Sequence, residues 1–423
     1  MFPLFEKLSP YKNLLKNFTS LSVLQLSNYL FPLIILPYVV RVLGPDKYGL
    51  VQFAAAFNSY FLILCDYGFG LTGTRMISQN RNDHQNLPRI FSSILIIRLL
   101  LFVLSFALIT VVVFSFERFI LEWKVFLLSS GIVFGSTLFP LWFFQGIEQM
   151  KYITILQIAI RIVSIVFIFI LIQSSADYII FVLINSLTQI VIGIAGVMIV
   201  NLKFKINIIF PGISQILRIL KEGWNIFLSS VWINLYTTSN TFILGLLTND
   251  TTVGYYAAAD KLRIAFQGVH STLSLSVFPF VNQLVKESYE NFINFNRKLF
   301  KLSAIWGLIV SLILFVFAYD ITDLVLGQNF SHSGDLLRII SLLPLIISLS
   351  NVFGIQTMLS LGYDKSFNKI IVIAAVIHLP MLFILTTYFM ATGVAYSVVL
   401  TETIVTIGMF AFLKSKKIDL VSR

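Results

Sequence analysis

Residues 25–75 hold two apolar runs joined by the short segment Val42-Leu43-Gly44-Pro45-Asp46-Lys47-Tyr48-Gly49, and a glycine-rich exit that ends in Arg75. Each run reaches the roughly 20 residues that a membrane-crossing helix needs. Gly44-Pro45-Asp46 uses residue types that stop a helix and favour a reversal. The stretch therefore predicts a transmembrane hairpin. Its first helix also carries Gln25, Asn28 and Pro32 at helical spacing. A helix that meets only lipid has no use for that polar stripe.

The remainder of the chain continues the pattern. Of 423 residues, 57% are hydrophobic and 12% charged, where a soluble domain carries about 25% charge. Apolar runs lie near 18–40, 48–66, 89–115, 124–145, 152–172, 178–200, 224–247, 253–283, 298–318, 336–360, 367–388 and 391–413. They predict an all-α polytopic membrane protein of about twelve spans. The connections between them leave no room for a catalytic lobe. The longest, 201–223, is basic, contains Pro211-Gly212, and ends in an amphipathic stretch from Ile213 to Leu220 that is expected on the membrane surface.

Charge sets the expected orientation. The chain has 30 Lys and Arg and a net charge of +11. With a cytoplasmic N-terminus, about 21 of the basic residues fall on the cytoplasmic side and about five outside. The outer loops carry Asp177, Asp250, Asp320 and Asp323 instead. Both termini are therefore expected in the cytoplasm. The excess charge reads as topology, because no soluble basic domain is present to hold a nucleic acid. Residues 1–16 are expected to be a cytoplasmic amphipathic lead-in that stays attached, since the run that follows is too long for a signal peptide. The single Cys65 allows no intramolecular disulfide.

A weak internal repeat suggests two six-helix lobes, 1–200 and 224–423, joined by 201–223. Asp46-Lys47-Tyr48-Gly49 followed by Ala54-Ala55-Ala56 has a counterpart in Asp250, Gly254 and Ala257-Ala258-Ala259. Gly146, Glu148 and Lys151 correspond in the same way to Gly362, Asp364 and Lys365. Such repeats are common in transporters.

Polar groups recur where the membrane is deepest. In the eighth span Asp260, Arg263, Gln267, His270 and Ser274 follow one helical face. Arg263 lies about ten residues in, about 15 Å deep. The seventh span repeats the arrangement with Asn225, Ser229, Trp232, Tyr236 and Asn240, and Arg98, Arg161, His378 and Glu402 fall near the middle of other spans. A mid-membrane Arg costs about 2.5–3.5 kcal/mol on insertion scales. These groups must pair with one another or face a wet cavity, whereas single Asn and Ser residues are explained as interhelical glue. The candidate substrate-binding residues are Arg98, Arg161, Arg263, Gln267, His270, Asn225, Trp232, Tyr236, Gln25 and Asn28. Asp66, Asp260 and Glu402 are the candidates for ion coupling. Arg pairs bidentately with phosphate oxygens, amides suit sugar hydroxyls, and Trp and Tyr offer flat faces to sugar rings. The pattern points to an anion that carries hydroxyl groups.

Enzymatic signatures are missing from the sequence. It has no P-loop, and His84, His270, His332 and His378 show no metal-ligand spacing. No cofactor or metal and no catalytic residue is expected.

The segments SNYLFPLIILPYVVRVLGPDKYG, DYGFGLTGTR, FPLWFFQGIEQMKYIT, GYYAAADKLRIAFQG and ISLSNVFGIQTML make the chain resemble, over nearly its whole length, the O-antigen flippases (Wzx) of the polysaccharide transporter family. That family lies within the superfamily of multidrug, oligosaccharidyl-lipid and polysaccharide exporters. The resemblance implies twelve helices in two six-helix lobes around a central cavity. It implies export of an undecaprenyl-pyrophosphate-linked O-antigen repeat unit across the bacterial inner membrane, in association with a polysaccharide polymerase and a chain-length regulator. An ion-coupled antiporter of the same layout would more naturally have an acidic cavity. An O-antigen polymerase would be expected to carry a large external loop. A rocking motion about 201–223 is expected, with Pro32, Pro37, Gly68, Gly70 and Gly73 as bending points.

Overall fold

The computed structural model describes residues 12–83 and 85–420; the side chains of 12–22, 29, 225, 229, 232, 233 and 235–237 lie outside that description. Most of the expected lead-in 1–16, and His84, lie outside it too. No strand occurs among the described residues. Nine helical stretches there are long and apolar enough to cross a membrane. Leu100, Val103 and Val111 on one of them and Ile155, Val163 and Ile170 on another are exposed, as a lipid-facing surface requires. This is an all-α polytopic membrane protein.

The helices fall into two compact units, Met1–Ser27 with Ala54–Asn234, and Asn28–Phe53 with Leu235–Arg423. Helix α1 (Lys12–Asp66) runs through both and is interrupted at Gly44, whose φ of 72° and ψ of 171° are not helical. The helix break falls at the expected Gly44-Pro45-Asp46, because a Cβ is disfavoured at positive φ and Pro45 cannot donate to the preceding turn.

The first unit continues with α2 (Phe69–Gln79), α3 (Asn86–Ser115), α4 (Glu117–Ile120), α5 (Trp123–Leu138), α6 (Leu141–Gly146), α7 (Met150–Leu171) and α8 (Tyr178–Phe204). The span expected over 124–145 is broken between α5 and α6, where Phe139 is extended and Pro140 follows. Phe69, Ile77, Phe91, Trp142, Phe143 and Phe144 form the packed centre. Helices α5 and α8 cross closely on small residues: Ser186 Oγ donates to the Leu128 carbonyl at 2.7 Å, and Gly193 lies against the Gly135 carbonyl.

Helix α9 (Ile213–Leu247) follows after only residues 205–212 outside helix. The amphipathic stretch expected on the membrane surface is therefore the first part of α9 and is continuous with the span. Ile213 and Leu217 there are exposed.

The second unit contains α10 (Asp250–Glu287), α11 (Tyr289–Val316), α12 (Ala318–Val325), α13 (Ser331–Ile340), α14 (Leu343–Asn351) and α15 (Asp364–Ser415). Asn249 caps α10 by accepting from the Thr252 amide at 2.9 Å, and Ser288 caps α11 through the Asn291 amide at 3.3 Å. Residues Val352–Leu359 wind as a π-helix. Helix α15 is interrupted at Met390, with φ 50° and ψ −129°, so it forms two arms, as the separate runs 367–388 and 391–413 predict. Phe292, Phe353, Met358 and Met409 are buried together at its core.

Candidate functional site

Within the second unit, α9, α10, α14 and both arms of α15 enclose a cavity of about 330 Å³. Its polar lining comprises Asn240, Asp260, Arg263, Gln267, His378 and Glu402, with Tyr256, Ser271 and Thr401 beside them. Arg263 Nε donates to Asp260 Oδ1 at 2.8 Å, one helical turn away, and another guanidinium N–H donates to Gln267 Oε1. The expected stripe on α10 thus supplies the cavity with Asp260, Arg263 and Gln267.

Its continuation does not reach the cavity. His270 stacks on Trp306 with ring centroids 5.1 Å apart, and its Nε2 lies 3.1 Å from Ser303 Oγ on α11. From Asp260 to His270 the face drifts by about 80° at 100° per residue, which turns His270 towards that neighbour. Ser274 is held by the π-helix and by the end of α14: Gln356 Nε2 donates to its carbonyl and hydroxyl oxygens, both at 2.8 Å, and Ser274 Oγ donates to Asn351 Oδ1. This lower part of the stripe joins helices.

The other candidates are dispersed. Arg98 lies in the first unit with its side chain 5% exposed. It donates to the carbonyls of Cys65 at 3.4 Å, Phe139 at 3.1 Å and Ser136 at 2.8 Å, and its ion pair with the partly exposed Asp66 spans 3.8 Å. Arg161 is half-buried on α7, Gln25 is half-buried and Asn28 exposed on α1. The side chains of Asn225, Trp232 and Tyr236 lie outside the described residues. Glu402 lines the cavity of the second unit.

Five polar residues that line the cavity escaped the set of candidates: Asn240, Tyr256, Ser271, His378 and Thr401. His378 is 1% exposed, its Nδ1 2.7 Å from Thr401 Oγ1 and its Nε2 3.0 Å from Asn240 Oδ1. The sequence signal was a histidine and an asparagine midway through apolar spans. What it lacked was any means of pairing positions 138 apart in the chain.

Residues 14–285 match the sequence model of the family described as "Polysaccharide biosynthesis protein". The chain belongs to that family. One relative, a protein of Escherichia coli (strain K12) named for O-antigen transport, is 33% identical over 407 residues, 96% of this chain and 98% of its own. Among solved structures, the lipid II flippase MurJ in an inward closed conformation superposes with a TM-score of 0.74 at 16% identity, over 93% of this chain and 87% of that one. An inward-facing multidrug resistance MATE family transporter of the MOP superfamily gives a TM-score of 0.68 at 14% identity, over 93% and 98% of the two chains. At those identities the likeness concerns the fold. This member of the polysaccharide biosynthesis protein family thus has the chain path of membrane transporters, and its second unit carries a charged cavity.

Proposed function

We propose that this protein is a flippase that moves lipid-linked polysaccharide repeat units across the membrane, and that it is not an enzyme. Membership in the polysaccharide biosynthesis protein family, together with similarity over nearly the full length to a protein named for O-antigen transport, carries this reading. In the finer form of the proposal, the lipid is undecaprenyl pyrophosphate and the membrane is the bacterial inner membrane. Both termini lie in the cytoplasm, as the distribution of basic residues supports. Twelve helices form two repeated lobes, 1–200 and 224–423, linked through 201–223. A polymerase and a chain-length regulator take up the product.

Arg263 is the proposed anion contact, because a guanidinium already oriented by Asp260 and Gln267 needs little reorganisation to meet a phosphate oxygen. A charge-assisted hydrogen bond of this type contributes about 1.5–3 kcal/mol. R263A is therefore expected to slow flipping about tenfold or more, while K261A on the exposed side of α10 leaves it unchanged. Equal flipping by R263A and the wild type would remove the anion role.

One observation favours a second reading. Two carboxylates, Asp260 and Glu402, share the cavity with one guanidinium, as suits an ion-coupled antiporter of the same fold. The lipid-linked intermediate pool in cells lacking the protein, sorted by leaflet, separates the two. A repeat unit accumulating in the cytoplasmic leaflet supports the flippase. Units that reach the outer leaflet but stay unpolymerised would place the protein at the polymerase step, and a normal pool would favour the antiporter.

A further inference from the structure

His378 bridges three helical segments. It sits on the first arm of α15, Thr401 on the second, and Asn240 on α9. Thr401 Oγ1 is also 2.8 Å from the Ser397 carbonyl and donates to it. A hydroxyl has a single proton to donate. With that proton on Ser397, Thr401 Oγ1 can only accept from His378 Nδ1–H. Asn240 Oδ1 accepts from Nε2–H on the other side. In this arrangement both ring nitrogens carry protons. If Nδ1 loses its proton, the Thr401 hydroxyl can rotate from the Ser397 carbonyl to donate to Nδ1, while Nε2–H stays on Asn240. One hydroxyl rotation thus keeps the ring partnered in both protonation states.

The cavity beside His378 is lined by Tyr256, Asp260 and Arg263 of α10 and by Glu402 of the second arm, whereas the residues of α9 and α14 that line it carry no charge. A cavity of about 330 Å³ has room for the water that delivers the proton.

We infer that His378 is the proton-loading site of this transporter: Nδ1 takes a proton from cavity water and returns it there, and the bond to Thr401 reverses each time. Loading changes the joint between α9 and the two arms of α15, so that a proton gradient can drive the conformational cycle. The coupling role rests on the flippase reading; the protonation of the ring does not.

Full-length protein with ¹⁵N-labelled histidine side chains, in lipid nanodiscs, tests the site directly. The resonances lost in H378Q belong to His378, and if that variant does not fold, a variant with His84, His270 and His332 each changed to Gln gives the same assignment. On acidification the ring is expected to pass from a neutral form protonated at Nε2 to one protonated at both nitrogens. A ring fixed in one form over the whole pH range in which the protein stays folded overturns the proposal. In cells, a protonophore is expected to raise the cytoplasmic-leaflet pool of lipid-linked units several-fold with the wild type. With H378Q the pool is expected to be raised already and to respond no further. An unaltered response in H378Q removes the coupling role. If cells lacking the protein show no pool change at all, the flippase reading fails, and the ring titration decides the proton site by itself.

Discussion

Replacing Arg98 with alanine is expected to leave little folded protein in the membrane and to lower the unfolding midpoint of what can be purified. The guanidinium is almost fully enclosed and serves three carbonyls: Cys65, near the end of α1, and Ser136 and Phe139, where α5 breaks before Pro140. A helix that ends inside a bundle exposes carbonyls with no partner in their own chain, and lipid offers none. Arg98 supplies these donors from α3. Its removal strands the carbonyls and leaves Asp66 without its 3.8 Å partner. Breaking a buried charge network of this kind costs about 3–5 kcal/mol. R98K should restore little, because an ammonium projects from one point and lacks the planar fork that reaches acceptors on two sides. Thermal unfolding in detergent, with the yield of folded protein, measures the effect. An R98A variant that unfolds at the wild-type midpoint but no longer flips would return Arg98 to the substrate site.

The contrast between Arg98 and Arg263 shows what the sequence could and could not convey. Both are mid-span arginines of the same insertion cost, and the chain gives no sign that one faces backbone carbonyls while the other faces a cavity. That difference is set by the break at Phe139-Pro140, which turns the end of α5 towards α3 and becomes visible only when the helices are packed. Breaks with a local cause were legible. Gly44-Pro45-Asp46 announces its turn through residue chemistry, and the interruption at Met390 follows from length, since one membrane crossing takes only about 20 residues. The π-helix over Val352–Leu359 has no comparable signature. Its buried Gln356 reaches Ser274 on α10, a partner that periodicity cannot supply. The α10 stripe was legible as polar, but a face wide enough to hold five positions meets several neighbours, and only its first three enter the cavity.

The segments around Gly49 and Gly254 lead to a second large effect. In the second unit the two glycines meet backbone to backbone. A Cβ on Gly49 would lie 2.6 Å from the Gly254 amide nitrogen and 2.7 Å from the Asp250 carbonyl carbon, and one on Gly254 would lie 2.9 Å from the Pro45 carbonyl carbon. None of these atoms can move aside by changing rotamer, so a methyl group must push the whole turn after Gly44 away from the first turns of α10. Phe53, which stacks on Phe242 of α9 at 5.8 Å between ring centroids, is only one turn further along and must shift as well. G49A and G254A should each cost about 1–3 kcal/mol or more, the range for overpacking a close contact, and G49V and G254V should abolish folding. G212A is the control, because the nearest atom its Cβ would meet is Ser214 Oγ at 3.8 Å. Two substitutions that act through one contact do not add: once the first methyl has separated the turns, the second meets less resistance. The double variant G49A/G254A should therefore unfold well above the midpoint that the two single shifts predict together. Strict additivity would mean that the glycines are independent, each limited by its own surroundings rather than by the other.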